Sequence, residues 1–277
     1  MRFFRNWLAL LALLAAWPAH AVTVLAGHPV LFALAQDLAG EKITVVRAAP
    51  ENIPPTRLNA YLTTRGEAAF KAAAQSTDAV LTLRSVWPED PLYPLARRSN
   101  IRVVEIDAAN PVDGALPGIA LHADKAVTVS YPWLDPVSLG RMADILGNEL
   151  GRLAPEAKPA IAGKLAAFKR RLITLSTRNE MALTKAANVS VASLSPKFDY
   201  LVSGLNLDPV MVDVEHLAKS LDEVKPALLL VDGEPEESVV QVARIAGVKV
   251  LALSATGRDP VAELEQLSRA VVEALSH

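Results

Sequence analysis

From Val22 onward the chain alternates two hydrophobic rhythms. Short apolar, β-rich runs occur at Val22-Thr23-Val24-Leu25-Ala26, Ile43-Thr44-Val45-Val46, Ala79-Val80-Leu81-Thr82-Leu83 and Arg102-Val103-Val104-Glu105-Ile106. Each has the length and residue types of a buried strand. Helical spacing fills the gaps: Val30, Leu31, Leu34, Ala35 and Leu38 recur at three and four until Gly40 stops them. Strands alternating with helices predict a parallel α/β lobe. Ligands of such sheets sit beyond the carboxyl ends of the strands. Gly27-His28-Pro29, residues 50–58 and residues 84–94 therefore line a candidate cleft, while 108–117 reads as a loop.

The strands stop after Pro136. Leu139, Met142, Ala143, Leu146 and Leu150 predict one amphipathic helix ending near Pro155, and Ile161, Leu165, Phe168, Leu172 and Leu175 predict a second. A helix over 156–185 would be about 45 Å long at 1.5 Å per residue, which suits a rigid connector; dimerisation through a coiled coil is the alternative. Alternation resumes with runs at 189–193, 227–231 and 248–253. A last helix opens at Asp259-Pro260, with Asp259 as its cap. The expected fold class is α/β: two Rossmann-like, parallel-sheet lobes joined by one long helix, with a ligand cleft between them. The expected division is a signal peptide over 1–21, an N-terminal lobe over 22–135, a helical connector over 136–187 and a C-terminal lobe over 188–277.

The first residues are an export signal by pattern. Arg2 and Arg5 precede the apolar run from Leu8 to Trp17, and Ala19-His20-Ala21 offers a small-x-small cleavage site. The run is about ten residues, against the roughly 20 that a membrane-spanning helix needs. The mature chain, about 256 residues, suits one large domain or two ordinary lobes. It contains no cysteine, which excludes disulfides, thiolate metal sites, thiol nucleophiles and a lipoprotein anchor. A soluble periplasmic protein is expected. Formal net charge is −2 with no basic run, so nucleic acid is excluded as a partner.

Several motifs carry a resemblance. Tyr131-Pro132-Trp133-Leu134-Asp135-Pro136 is similar to the His-x-Trp-Leu-Asp-Pro segment of the periplasmic zinc- and manganese-receptor family, the solute-binding proteins of metal ABC importers. Ser195-Pro196-Lys197-Phe198-Asp199-Tyr200-Leu201, with Gly204-Leu205, resembles its His-x-x-Phe-x-Tyr-Leu…Gly-Leu segment. Pro50-Glu51-Asn52-Ile53-Pro54-Pro55 matches its Pro-His-x-x-Glu-Pro segment, and 228–253 its closing strand–helix–strand. The resemblance implies a two-lobe receptor, expected to be a monomer, that delivers a small ligand or metal to an ABC-transporter membrane permease. It implies no resident cofactor; a divalent metal (zinc or manganese) or a metal chelate would be the transported ligand.

The four metal-ligand positions of the family fall on Glu51, Tyr131, Ser195 and Ser254. One carboxylate, one phenol and two hydroxyls are a poor trap for Zn²⁺ or Mn²⁺, which want imidazoles or several carboxylates. The metal site is therefore expected to be degenerate. His28 is the histidine best placed to join Glu51 in a loose metal pair, or else an exposed residue at the next helix start. His122, His216, Glu105, Asp107 and Asp232 are further candidates. Arg57, Arg65, Arg84 and Lys197, interleaved with Tyr61, Trp87, Tyr93, Trp133, Phe198 and Tyr200, offer anion contacts and aromatic faces. A receptor for a chelate or small organic anion is the second reading, and a non-transport accessory protein on the same scaffold a third. An enzyme is not expected: Ser195 lacks a nucleophile elbow, no histidine is placed to serve it, and no glycine-rich phosphate loop is present.

Overall fold

The computed structural model describes residues 21–114, 116–121 and 130–276. The signal segment over 1–20 and His122 lie outside the described residues. The first lobe runs β1 (Val22–Ala26), α1 (Pro29–Leu38), β2 (Ile43–Arg47), α2 (Pro55–Leu62), α3 (Glu67–Gln75), β3 (Ala79–Thr82), α4 (Leu92–Ser99) and β4 (Val104–Asp107). Its strands are parallel in the order β2-β1-β3-β4. A one-turn 3₁₀ segment (Pro132–Leu134) leads into α5 (Pro136–Leu153) and the long α6 (Lys158–Leu183).

The second lobe follows with β5 (Ser190–Ser193), a 3₁₀ turn (Pro196–Phe198), α7 (Asp199–Gly204), β6 (Asp208–Pro209), α8 (Leu217–Val224), β7 (Leu228–Asp232), α9 (Glu237–Ala246), β8 (Lys249–Leu253) and α10 (Pro260–Ser276). Its sheet is again parallel, in the order β6-β5-β7-β8. Both lobes thus repeat one topology. In each, the strand order reverses between the first and third strands, so a crevice opens between β1 and β3 and between β5 and β7, where such folds bind ligands.

The central strands read as continuous apolar runs because both of their faces are covered. Val24, Ala26, Ala79 and Leu81 of the first sheet share one core with Leu228 and Leu230 of the second, together with the inner faces of α5, α6 and α10. The alternate residues Leu25 and Val80 enter a separate outer core in the first lobe, and Leu229 and Val231 do the same in the second. The 26 residues of α6 span about 39 Å at 1.5 Å each. They pack against α5 and α10. No helix of the described residues is long and apolar enough to cross a membrane.

β6 has no counterpart among the sequence-derived strands. It is two residues long, exposed, and contains Pro209. Its place is the sheet edge, where proline is tolerated because one side of the strand needs no ladder hydrogen bonds.

Candidate functional site

The two motifs that flank the connector pack directly on each other. Asp135 accepts from the amides of Val137 (3.0 Å) and Ser138 (2.9 Å) and from the Ser138 hydroxyl (2.6 Å), capping α5 at its N-terminus. A Cβ at Gly204 would lie 2.8 Å from Asp135 Oδ1 and 3.0 Å from Pro136 Cδ. Glycine is therefore required where the end of α7 meets this corner. Phe198 is wholly buried beside it, and the Tyr200 hydroxyl donates to the carbonyl of Ala120 at 2.7 Å.

The crevice of the first lobe is filled by a buried polar pair. His28 follows β1 and is 2% exposed; its Nε2 lies 2.8 Å from Asp90 Oδ2. Asp90 also accepts from the amides of Leu83 (3.3 Å) and Leu92 (3.0 Å), so it ties the loop after β3 into a knot. Burial by itself would raise the Asp90 carboxyl, yet the His28 ring and these two amides hold it below the ordinary carboxylate range. His28 occupies the N-cap position of α1 without making a side-chain cap bond; it is a core residue and not the exposed one that its loop suggests. Its Nδ1 is buried and, among the described residues, forms no hydrogen bond.

An aromatic wall extends from this pair. Trp87 meets the His28 ring edge-on at 4.5 Å and Trp133 at 5.9 Å. Tyr131 stacks on Trp133 at 4.3 Å. Trp87 Nε1 donates to the carbonyl of Ser130 at 3.1 Å, fixing the entry to the Tyr-Pro-Trp segment. Trp133 Nε1 donates to Glu263 at 3.0 Å. Glu263 in turn accepts from the amides of Thr256 and Gly257, so it holds the loop between β8 and α10. Gly257 sits there at φ +71°, a left-handed conformation that suits glycine, and a Cβ would lie 3.1 Å from Val30. The tryptophan is thus one point at which the two lobes grip each other.

The crevice of the second lobe is charged and half open. Lys197, just after β5, pairs with Asp232 at the end of β7 and lies 5.5 Å from the centre of the Tyr131 ring. Burial works against the Lys197 ammonium, but its hydrogen bond to Asp232 and the neighbouring Tyr131 outweigh it and raise its pKa. Burial, with Asp232 and Glu263 nearby, raises the Tyr131 phenol in spite of Lys197. Lys197 is therefore a cation and Tyr131 a neutral phenol at neutral pH. A second cation reaches across the lobes, where Arg258 Nε lies 3.2 Å from Glu51 Oε1; Arg47 approaches the same carboxylate at 3.8 Å.

Of the residues singled out in the sequence, Tyr131 and Glu51 each meet a basic side chain of the second lobe. Ser195 accepts from the Lys197 amide at 3.4 Å and starts the 3₁₀ turn; Ser254 is exposed after β8. His28 and Glu51 are committed to different partners. Arg84 is held by both oxygens of Glu105 (3.2 and 2.9 Å), Asp107 accepts from the Ser85 amide and hydroxyl, Arg65 lies over Tyr61, Arg57 is exposed, and His216 pairs with Asp213 at the surface. Among the described residues no group of three or more His, Cys, Asp or Glu side chains is placed to hold a metal ion. Sequence reasoning did not find Asp90, Arg258 or Glu263. A proline-flanked acid, a loop arginine and a first-turn glutamate carry no signal of partners 62, 207 or 130 residues away.

No protein-family model matches the chain, and no curated protein matches it. Solved structures do. A zinc-bound deletion mutant of ZnuA is 19% identical with a TM-score of 0.71, over 93% of this chain and 99% of that one. FpvC from Pseudomonas aeruginosa, a solute-binding protein in complex with Mn²⁺, is 20% identical with a TM-score of 0.71, over 92% and 98%. A metal-free point mutant of a periplasmic metal-binding protein from Candidatus Liberibacter asiaticus is 13% identical with a TM-score of 0.73, over 92% and 99%. The chain has the two-lobe, single-connector fold of these metal-binding solute-binding proteins.

Proposed function

We propose that this protein is a periplasmic solute-binding receptor of an ABC importer, and that its cleft takes an anionic solute, a small organic anion or a metal chelate, in place of a bare divalent metal. The fold supports the receptor reading. The charge of the cleft supports the ligand class. Two of the four positions that the resemblance assigns to metal ligands, Glu51 and Tyr131, face cations of the opposite lobe, Arg258 and Lys197. A divalent ion placed there would have to displace these cations from Glu51 and Asp232, whereas an anion could take either cation in exchange for its present carboxylate. The stacked faces of Tyr131 and Trp133 suit a planar or carboxylate-bearing molecule.

The observation that carries this reading is Lys197 lying between Tyr131 and Asp232. Calorimetric titration of the mature protein with a panel of small monocarboxylates and their metal chelates tests it. A saturable response that Lys197→Met weakens at least tenfold is expected. Binding of a panel member with the same affinity in Lys197→Met would remove Lys197 from the site, and silence across the panel would sink the ligand class. Deletion of the gene should also lower uptake of the solute that binds.

A further inference from the structure

Away from the cleft, the outer side of α6 holds more positive charge than its neighbours neutralise. Arg170, Thr174 and Arg178 follow one another at four-residue spacing, on one face of the helix, and Arg171 adjoins them. With Val261 and Glu265 of α10 they line a hollow of about 360 Å³, toward the small end of ligand pockets, which run from roughly 300 to 1,000 Å³. Glu265 is already shared by two guanidiniums, Arg178 at 3.0 Å and Arg269 at 3.2 Å. Hydrogen bonding from Arg178 leads the causes that keep its carboxyl below the usual range.

The remaining arginines find less. Among the described residues, the Arg170 guanidinium forms no hydrogen bond or ion pair. Arg171 faces Asp37, whose carboxyl is raised by burial and by Asp259 against the pull of Arg171 and Lys164. Thr174 donates its hydroxyl proton to the Arg170 carbonyl at 3.0 Å, so the donors left facing the hollow are guanidinium groups. A planar fork of N–H donors fits carboxylate and phosphate oxygens, two bonds at a time.

We propose that this hollow between α6 and α10 is a second binding site, for a compact polyanion carrying two or more carboxylate or phosphate groups, gripped by Arg170 and Arg171 with Arg178 at its edge. It shares no lining residue with the cleft. The probes are citrate and pyrophosphate, titrated calorimetrically into the mature protein at low ionic strength. Saturable binding is expected, at least tenfold weaker in the Arg170→Gln/Arg171→Gln double variant and unchanged in Lys197→Met. Binding of citrate alone points to carboxylates, of pyrophosphate alone to phosphates, and of both to recognition of charge. Arg170→Lys/Arg171→Lys, which keeps the charge and loses the fork, should fall between wild type and the glutamine variant. Both arginines are exposed, so far-UV circular dichroism should show all variants folded. Absence of saturable binding by either probe, equal affinity in the glutamine variant, or loss in Lys197→Met alone overturns the proposal.

Discussion

The two lobes share one strand order and put an acid–base pair at the same topological place, yet the pairs live in opposite media. In the first lobe His28 and Asp90 are sealed in the core, with side chains 2% and 0% exposed. In the second, Lys197 and Asp232 are each about one-third exposed, at 33% and 32%. Burial turns the first pair into a fixed part of the scaffold, since neither group has water to fall back on. Exposure leaves the second free to exchange partners at modest cost. The lesson is that equal topology does not assign equal roles. The first crevice is part of the scaffold, and the second, with Tyr131 and Arg258 at its border, is where the proposed solute would compete.

The widest test of that contrast removes one acid from each lobe. Asp90→Ala strands a buried histidine and two loop amides, and should cost about 3–5 kcal/mol in urea unfolding. Asp232→Ala should cost at most about 1 kcal/mol. Similar losses at both positions would erase the distinction. Next in size is Trp133→Ala, at about 3–5 kcal/mol for a buried aromatic, less whatever the site recovers by collapse. It should also free the loop held through Glu263, which hydrogen exchange at Thr256 and Gly257 would report.

The pH dependence follows from Asp90. Its folded pKa lies below the unfolded value, so its contribution is complete above the ordinary carboxyl range, about 3.9, and is lost as pH falls through the lower folded value. Wild type should therefore lose stability more steeply in acid than Asp90→Asn does. The smallest expected effect is at the lobe-bridging rim pair. A double-mutant cycle on Glu51→Gln and Arg258→Gln should give a coupling of about 0.2–1 kcal/mol, shrinking as salt rises.

Much of the scaffold was legible in the sequence because it rests on periodicity. The buried strands, the two connector helices and the caps at Asp135 and Asp259 follow from local pattern; Asp135 and Asp259 accept from amides two and three residues ahead. The cleft was legible only as a set of residue types. Glu51, Tyr131 and Lys197 stood out, but their partners come from other strands. His28 illustrates the gap: a histidine between glycine and proline suggests an exposed loop, and only the return of Asp90 from beyond β3 buries it. Arg258 is similar, since a loop arginine near a chain end carries no mark of a carboxylate in the first lobe.

Side-chain cations occupy the border of a cleft where the resemblance implies a metal. Calorimetric titration of chelator-treated mature protein with Zn²⁺ and Mn²⁺ tests it most directly. No saturable binding of either ion at micromolar concentrations is predicted, in wild type and in Glu51→Ala alike. Stoichiometric, tight binding in wild type that Glu51→Ala abolishes would contradict it.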